Sequence, residues 1–442
     1  MRGLLADEVP ESVDVAQVLA EQGLPDVAKS ILRTSLTRSP NPYPNWKRGE
    51  RLVAAADIYR LGGDTAFIRG ITPALRSYVD ALGLQIESGP DSLLDRERYS
   101  SDIGDSVYGL HSQTVVWQGL RDIAPVWAAT GQAALAARCR ALAARLERSL
   151  RGAVAASQRR LPDGSLFVPV SLRGGEQPYG ALTSDRLGSY WNLVMPYALA
   201  SGFFAPGRTQ ARGILGYIQR HGSRLLGLVR AGAYAIYGRS SPGSSGTDAV
   251  YGINMARFLA DNDEADQLDL SLVGHVAAAM TAHTFVAGEA ASVTPLPGTS
   301  ERAMYLPPNG AADAAFLETL RLTVVHETRD RSGAPYGLQL AFATPRSWLL
   351  PGRHIAVRNA PTSFGQVSFS IAAGARSLTV DVSPPAREPH TLAFRLRLPA
   401  GARLTGVTID GRPWRRFDVR TGTIELPRTS NAFTLIARRS GA

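Results

Sequence analysis

The sequence predicts an α+β chain in two parts, a run of helical hairpins followed by an all-β module. Two observations carry that expectation. Up to about Val325, apolar residues recur at helical spacing between breaks marked by Gly and Pro, and beyond about Gly337 the apolar period falls to two. The third observation is size: 442 residues, 44% apolar and 19% charged, allow two or three domains with a large buried core, which excludes a disordered or fibrous chain.

The hairpins follow one another along the first part. Ser12 to Arg38 is broken at Gly23-Leu24-Pro25, and Gly49 to Leu82 at Gly62-Gly63-Asp64. His111 to Thr130 carries Val116, Leu120, Ile123 and Trp127 on one face, and after Gly131 the pattern resumes with Leu135, Cys139, Leu142, Leu146 and Leu150. Arg186 to His221 breaks near Pro206-Gly207, and Thr247 to His283 around Asp261 to Glu264. A sixth, poorer pair would comprise the Glu289 region and Ala311 to Val325. Helical spacing ends at Val325 and a polar Arg329-Asp330-Arg331-Ser332-Gly333 turn follows, so the parts are expected to meet near Thr328 to Tyr336, as units 12–327 and 337–442 after a short lead-in 1–11. In the second unit, Leu338, Leu340 and Phe342; Val367, Phe369 and Ile371; Leu378, Val380 and Val382; and Leu392, Phe394, Leu396 and Leu398 alternate with small or polar residues, the pattern of a sandwich.

Composition removes several function classes. One cysteine, Cys139, allows neither a disulfide framework nor a Cys-based zinc site, and it reads as a plain helix thiol. The net charge of +10 resides entirely beyond residue 336, where arginines fall between apolar residues, as in Phe394-Arg395-Leu396-Arg397-Leu398. That pattern reads as the solvated face of a sheet rather than a nucleic-acid surface. No apolar run approaches the ~20 residues of a membrane span. Met1 to Pro10 lacks the features of a secretory signal, which leaves a cytoplasmic location by default, or secretion if the chain begins within a longer one.

In a ring of hairpins the loops before the inner helices share one rim, and the unusual residues collect in those loops. They are Tyr99-Ser100-Ser101-Asp102-Ile103-Gly104-Asp105-Ser106-Val107-Tyr108-Gly109-Leu110-His111; Thr183-Ser184-Asp185-Arg186-Leu187-Gly188-Ser189-Tyr190-Trp191-Asn192; Gly246-Thr247-Asp248-Ala249-Val250-Tyr251-Gly252; and Ala287-Gly288-Glu289-Ala290-Ala291-Ser292. Taken singly, Asp102, Asp185 and Asp248 read equally well as helix N-caps. Taken together with Tyr, Trp, Asn and Gly they suit a ligand, because glycine admits close approach to the backbone and aromatic faces suit sugar rings.

Those residues, with Tyr305-Leu306-Pro307-Pro308-Asn309 and Asn359-Ala360-Pro361-Thr362, give residues 12–442 a resemblance to the six-hairpin glycosidase superfamily. It implies an (α/α)6 toroid followed by an antiparallel β-sandwich, as in alpha-L-rhamnosidase-like glycoside hydrolases. It also implies a carbohydrate substrate, no cofactor, and a pair of carboxyl groups serving as general acid and general base in an inverting mechanism. On that resemblance Asp105 or Asp102 is expected to be the acid and Glu289 the base. Trp46, Tyr108, His111, Asp185, Tyr190, Trp191, Asp248 and Arg302 are the expected substrate contacts. His275 and His283, without a carboxylate at metal spacing, are not expected to ligate. Two other readings remain open: a polysaccharide lyase using Tyr108 or Tyr251 with His111, and a carbohydrate-binding or scaffold protein without turnover.

Overall fold

A computed structural model describes residues 11–89, 91–183, 185–231, 246–295, 298–330 and 332–440. Met1 to Pro10, Ser184 of the fourth loop and Arg331 of the expected turn between units lie outside the described residues.

Eleven helices are described: α1 (Glu11–Glu21), α2 (Pro25–Leu36), α3 (Pro44–Gly62), α4 (Thr65–Ser88), α5 (Leu110–Ala129), α6 (Ala133–Ser157), α7 (Arg186–Ala200), α8 (Thr209–Arg220), α9 (Gly252–Asp261), α10 (Ala265–Gly274) and α11 (Gly310–Val324). The odd-numbered six close a ring, each packed on the next, with α11 returning to α1. Their sequences explain the placement. α3, α5, α7 and α9 are buried over most of their circumference, whereas α2 and α8 bury one face only. The tightest contact, α3 on α5, depends on two glycines. A Cβ at Gly49 would lie 2.8 Å from the Val116 backbone N, and one at Gly119 would lie 2.7 Å from the Gly49 carbonyl.

Helix ends follow local chemistry. Pro25 and Pro44 open α2 and α3, Asp64 caps α4 by accepting from the Phe67 N–H at 2.9 Å, and Gly63 ends α3 in the left-handed region at φ 67°. The expected sixth pair differs. After α10 the chain makes a π-helical turn, His275–Ala279, and then the short strands Ala290–Ser292 and Met304–Tyr305, so α11 has no outer helix among the described residues. Those strands extend a five-stranded sheet through Gly246–Asp248, Leu228–Ala231 and Arg224–Leu225. Small residues permit it: a Cβ at Gly288 would come within 2.3 Å of Met304 Cγ. No described helix is long and apolar enough to cross a membrane.

The β-sandwich begins without a linker, because the strand Val325–Arg329 follows α11 directly. One sheet orders Val325–Arg329, Pro335–Leu340, Thr391–Arg395, Thr423–Glu425 and Phe417–Asp418, with a parallel pairing between the second and third strands. The other, wholly antiparallel, orders His354–Thr362, Gly365–Ala373, Ser377–Ser383, Phe433–Ser440, Arg403–Ile409 and Arg412–Trp414. Their inner faces share one apolar core, in which Phe369 meets Phe394 edge to face at 5.2 Å.

Two of its arginines correct the expectation of a solvated sheet face. Arg397 is buried and donates to the Ala343 and Thr344 carbonyls and to Asp266, while Arg395 pairs with Asp263. They therefore clamp the sandwich onto the α9–α10 turn. A second clamp forms around Asp122, whose side chain is fully buried and takes Arg121 at 2.7 Å, Arg60 at 3.5 Å and Arg329 at 3.1 Å, while Arg329 also reaches Asp57 at 3.0 Å.

Candidate active site

The inner helices run parallel, so their N-termini and the loops before them share one rim. Three of the expected carboxylates act on one another there. Asp248 ends the strand Gly246–Asp248 and Ala290 lies opposite it, so Glu289 follows in the adjacent register position. The Ala249 N–H donates to the Glu289 carbonyl at 2.8 Å, and the Glu289 N–H donates to the Tyr305 carbonyl at 2.9 Å, which fixes the backbone on both sides. Asp102, exposed on its loop, accepts from the Tyr190 hydroxyl near the start of α7, and Arg186 donates to its backbone carbonyl at 2.9 Å.

Electrostatics separates these carboxyls. Burial first, and then the charge of Asp102, push Glu289 up to about 7. Asp248 is buried and pushed well above the usual carboxylate range, by burial and then by Glu289, against the Tyr251 and Val250 N–H groups that favour its ionised form. Burial and neighbouring charge thus both favour the protonated forms of Glu289 and Asp248.

Other expected contacts lie elsewhere. Asp105 is exposed, and the carboxylate whose charge acts on Glu289 is Asp102. Asp185 caps α7 by accepting from the Gly188 N–H at 2.7 Å. It faces the tyrosines around Glu176, a residue the sequence reading passed over: buried Glu176 accepts from the hydroxyls of Tyr99 at 3.2 Å and Tyr179 at 2.7 Å and from the Ser171 N–H at 2.7 Å. Its signal, a glutamate after Gly174-Gly175, was local and weak.

Three aromatic expectations are corrected by burial. Trp46 is 1% exposed, with its ring edge-on to His111 at 4.6 Å and Tyr197 at 4.8 Å. Tyr197 in turn meets Tyr251 at 6.3 Å, so these rings plug the middle of the toroid. His111 has no exposed surface, neither ring nitrogen has a partner, and burial pushes it down to about 3. Trp191 is 1% exposed, donates to the Val168 carbonyl at 2.9 Å and stacks on Phe167. A sugar cannot reach any of the three. Each stands near the start of an inner helix, where the inside of the ring and its rim read alike in sequence. Tyr108 is half-buried under the Arg96 guanidinium, and exposed Arg302 donates to the Ala277 and Ala278 carbonyls of the π-helical turn. Another residue missed in sequence, Glu97, accepts from the Asn45 and Trp46 N–H groups and so fixes the start of α3 from a distant loop.

No family model matches the sequence, and no curated protein matches it. Solved structures do. The alpha-L-rhamnosidase from Dictyoglumus thermophilum aligns over 96% of this chain with a TM-score of 0.53 at 11% identity, and the Streptomyces avermitilis alpha-L-rhamnosidase in complex with L-rhamnose aligns over 96% with a TM-score of 0.50 at 12% identity. The chain spans 46% and 38% of those two proteins, less than half of either. At such identity the likeness is one of architecture: this chain shares with these proteins a toroid of helical hairpins carrying a C-terminal β-sandwich.

Proposed function

We propose that the chain is a glycoside hydrolase of inverting type, acting on a polysaccharide or glycoside at the rim of the helical unit, with the sandwich that opens at Val325 packed beside it. The observation that carries this reading is that Asp102 and Glu289, on loops far apart in sequence, lie near enough for the charge of Asp102 to raise Glu289. A leaving glycosidic oxygen needs a proton donor, and water needs a carboxylate to take its proton.

The electrostatics favour roles opposite to those expected from sequence. Glu289, held near 7, retains a proton to donate, and Asp102 faces solvent, where an attacking water is at hand. Tyr190 orients Asp102, and burial disfavours a second negative charge on Asp248 beside Glu289. The lyase reading loses His111, which has no exposed surface, and is left with Tyr108 or Tyr251 alone.

The test is hydrolysis of a glycan and aryl-glycoside panel, with the anomeric configuration of the product followed by NMR. Inverted product from the parent protein, lost in Asp102→Asn and recovered in Glu289→Gln on activated aryl glycosides, supports these roles. Retained configuration rejects direct inversion, an unsaturated product identifies a lyase, and binding without turnover in any protein identifies a carbohydrate-binding module.

A further inference from the structure

The C-terminal end of the ring holds a cavity of about 720 Å³, on the far side of the Trp46–His111–Tyr197 plug from the rim. On four of the six inner helices polar residues of its wall lie C-terminal to the plug: Gln17 and Glu21 on α1, Glu50 on α3, Asn254 and Arg257 on α9, and Glu318 on α11.

The chemistry of that wall is unbalanced in two ways. Carboxyl groups outnumber cations at its inner end. Arg257 donates to Glu318 at 2.7 Å and to Asp14 at 3.4 Å, Glu21 is 3.8 Å from Arg321, and among the described residues Glu50 receives the Trp46 indole N–H alone, at 3.4 Å. Buried acidic side chains are rare without compensation. Independently, two amides that are at least nine-tenths buried have one group each without a partner. Gln17 spends its amide N–H on Asp57 at 2.8 Å and leaves its carbonyl oxygen unpaired, whereas the Asn254 carbonyl oxygen takes Arg257 and its NH2 is left unpaired.

We propose that this cavity is a second ligand site, separate from the rim, for a protonated amino sugar or amino alcohol. An ammonium donates to Glu50 and its neighbouring acids. A hydroxyl on the same small frame satisfies both amides, since it donates to the Gln17 oxygen and accepts from the Asn254 NH2. The volume lies within the range of small-molecule sites. Among the described residues no three His, Cys, Asp or Glu side chains gather as metal ligands, so the charge surplus suits an organic cation.

Burial opposes ionisation of most of these acids. Burial raises Asp14 to about 6 and holds Glu21 and Glu50 well above the carboxylate range, while Glu318, against the same burial, is brought to about 2 by Arg257 and by a proton shared with Glu21. Arrival of a cation then releases protons.

The probe is glucosamine hydrochloride, with N-acetylglucosamine and glucose as neutral controls, titrated by calorimetry into the full chain in two buffers of different ionisation enthalpy. Saturable binding of glucosamine with proton release is expected. Affinity should fall by about tenfold or more in Glu50→Gln and in Asn254→Ala and stay unchanged in Asp102→Asn. The two cavity variants change different helices, so the test survives the misfolding of either. Equal binding of the neutral sugars, no binding at millimolar glucosamine, or loss of binding in Asp102→Asn alone each overturns the proposal. Because the readout is binding, it does not depend on the hydrolase reading.

Discussion

The two mouths of the toroid are built from the same residue types arranged to opposite ends. At the rim, Asp102 and Glu289 stand on loops, neither side chain forms an ion pair with an arginine among the described residues, and the charge of Asp102 acts on Glu289. Beneath the sandwich, Asp57 and Asp122 are also carboxylates at the ends of inner helices, but three arginines close on them. Burial alone would raise Asp122, yet Arg121, Arg60 and Arg329 outweigh it and hold the group well below its usual range. The difference teaches that acidity in this ring marks chemistry only where compensation is withheld. A neutralised carboxylate holds domains together, and an uncompensated one is free to exchange a proton.

The largest effect expected from that contrast is at the rim. Glu289→Gln keeps the shape of the side chain but removes the proton donor, and turnover of substrates with poor leaving groups should fall by about 10²–10⁴-fold with folding unchanged. Released sugar is the measurement. Full activity in the variant would remove Glu289 from the chemistry and leave the rim carboxylates as structural as the clamp.

At the other mouth the expected effect is on stability instead. Asp122→Asn leaves Arg60, Arg121 and Arg329 facing a neutral group in a buried site, a loss of about 3–5 kcal/mol, read as a shift in the urea midpoint. The sign with pH follows from the depressed folded pKa. The stabilisation by Asp122 is present above the unfolded value near 3.9 and is lost as pH falls through the folded value, so parent and variant should converge in acid. A Trp191→Ala change tests the core assignment in the same assay, with a cost of about 3–5 kcal/mol. A sugar contact at that position would cost binding and little stability.

How much of this was legible in the sequence depends on the range of the interaction. Gly62-Gly63-Asp64 and Leu24-Pro25 mark helix ends by local backbone chemistry, and those breaks stand where they were expected. The sixth pair was misread because Leu317, Leu320 and Val324 carry helical spacing right up to the strand at Val325, while the small residues around Glu289 give no period at all. The loop positions of Asp102, Asp248 and Glu289 were legible because each sits beside Ser, Thr or Gly. The clamp was not, since the local pairs Asp57–Arg60 and Arg121–Asp122 meet each other and Arg329 only by tertiary contact. Burial also decided the aromatic residues, and a single sequence does not show which side of an inner helix faces the plug.

A smaller, sharper test concerns the proton on Glu289. If Asp102 raises it, the carboxyl should titrate near 7 in the parent and at lower pH in Asp102→Asn, followed by carbon NMR of the labelled side chain. Where Glu289 is the acid, activity of the parent falls as pH rises through about 7, because the donor is lost. An unmoved titration in Asp102→Asn would mean that the two groups are not coupled and that burial alone sets the value.

The smallest effect belongs to the plug between the mouths. His111 is buried with neither nitrogen paired, and burial alone depresses it to about 3. An unfolded chain binds that proton near 6.5, so between these values the unfolded state carries more protons. Stability conferred by neutral His111 is therefore complete above about 6.5 and lost as pH falls through that window. The slope is at most about 1.4 kcal/mol per pH unit for one group. His275, brought to about 4 by the same cause, adds to it, while Asp14 and Glu289, raised in the folded state, act with the opposite sign. Comparison of parent and His111→Phe cancels these shared contributions. A phenyl ring suits a site already walled by Trp46 and Tyr99 and gives up no hydrogen bond. Urea denaturation across about pH 4 to 6 should therefore show a flatter dependence in the variant, by up to one proton, with rim hydrolysis at neutral pH retained. A variant that keeps the acid slope but loses substrate binding would instead connect the plug to the rim and return His111 to the site.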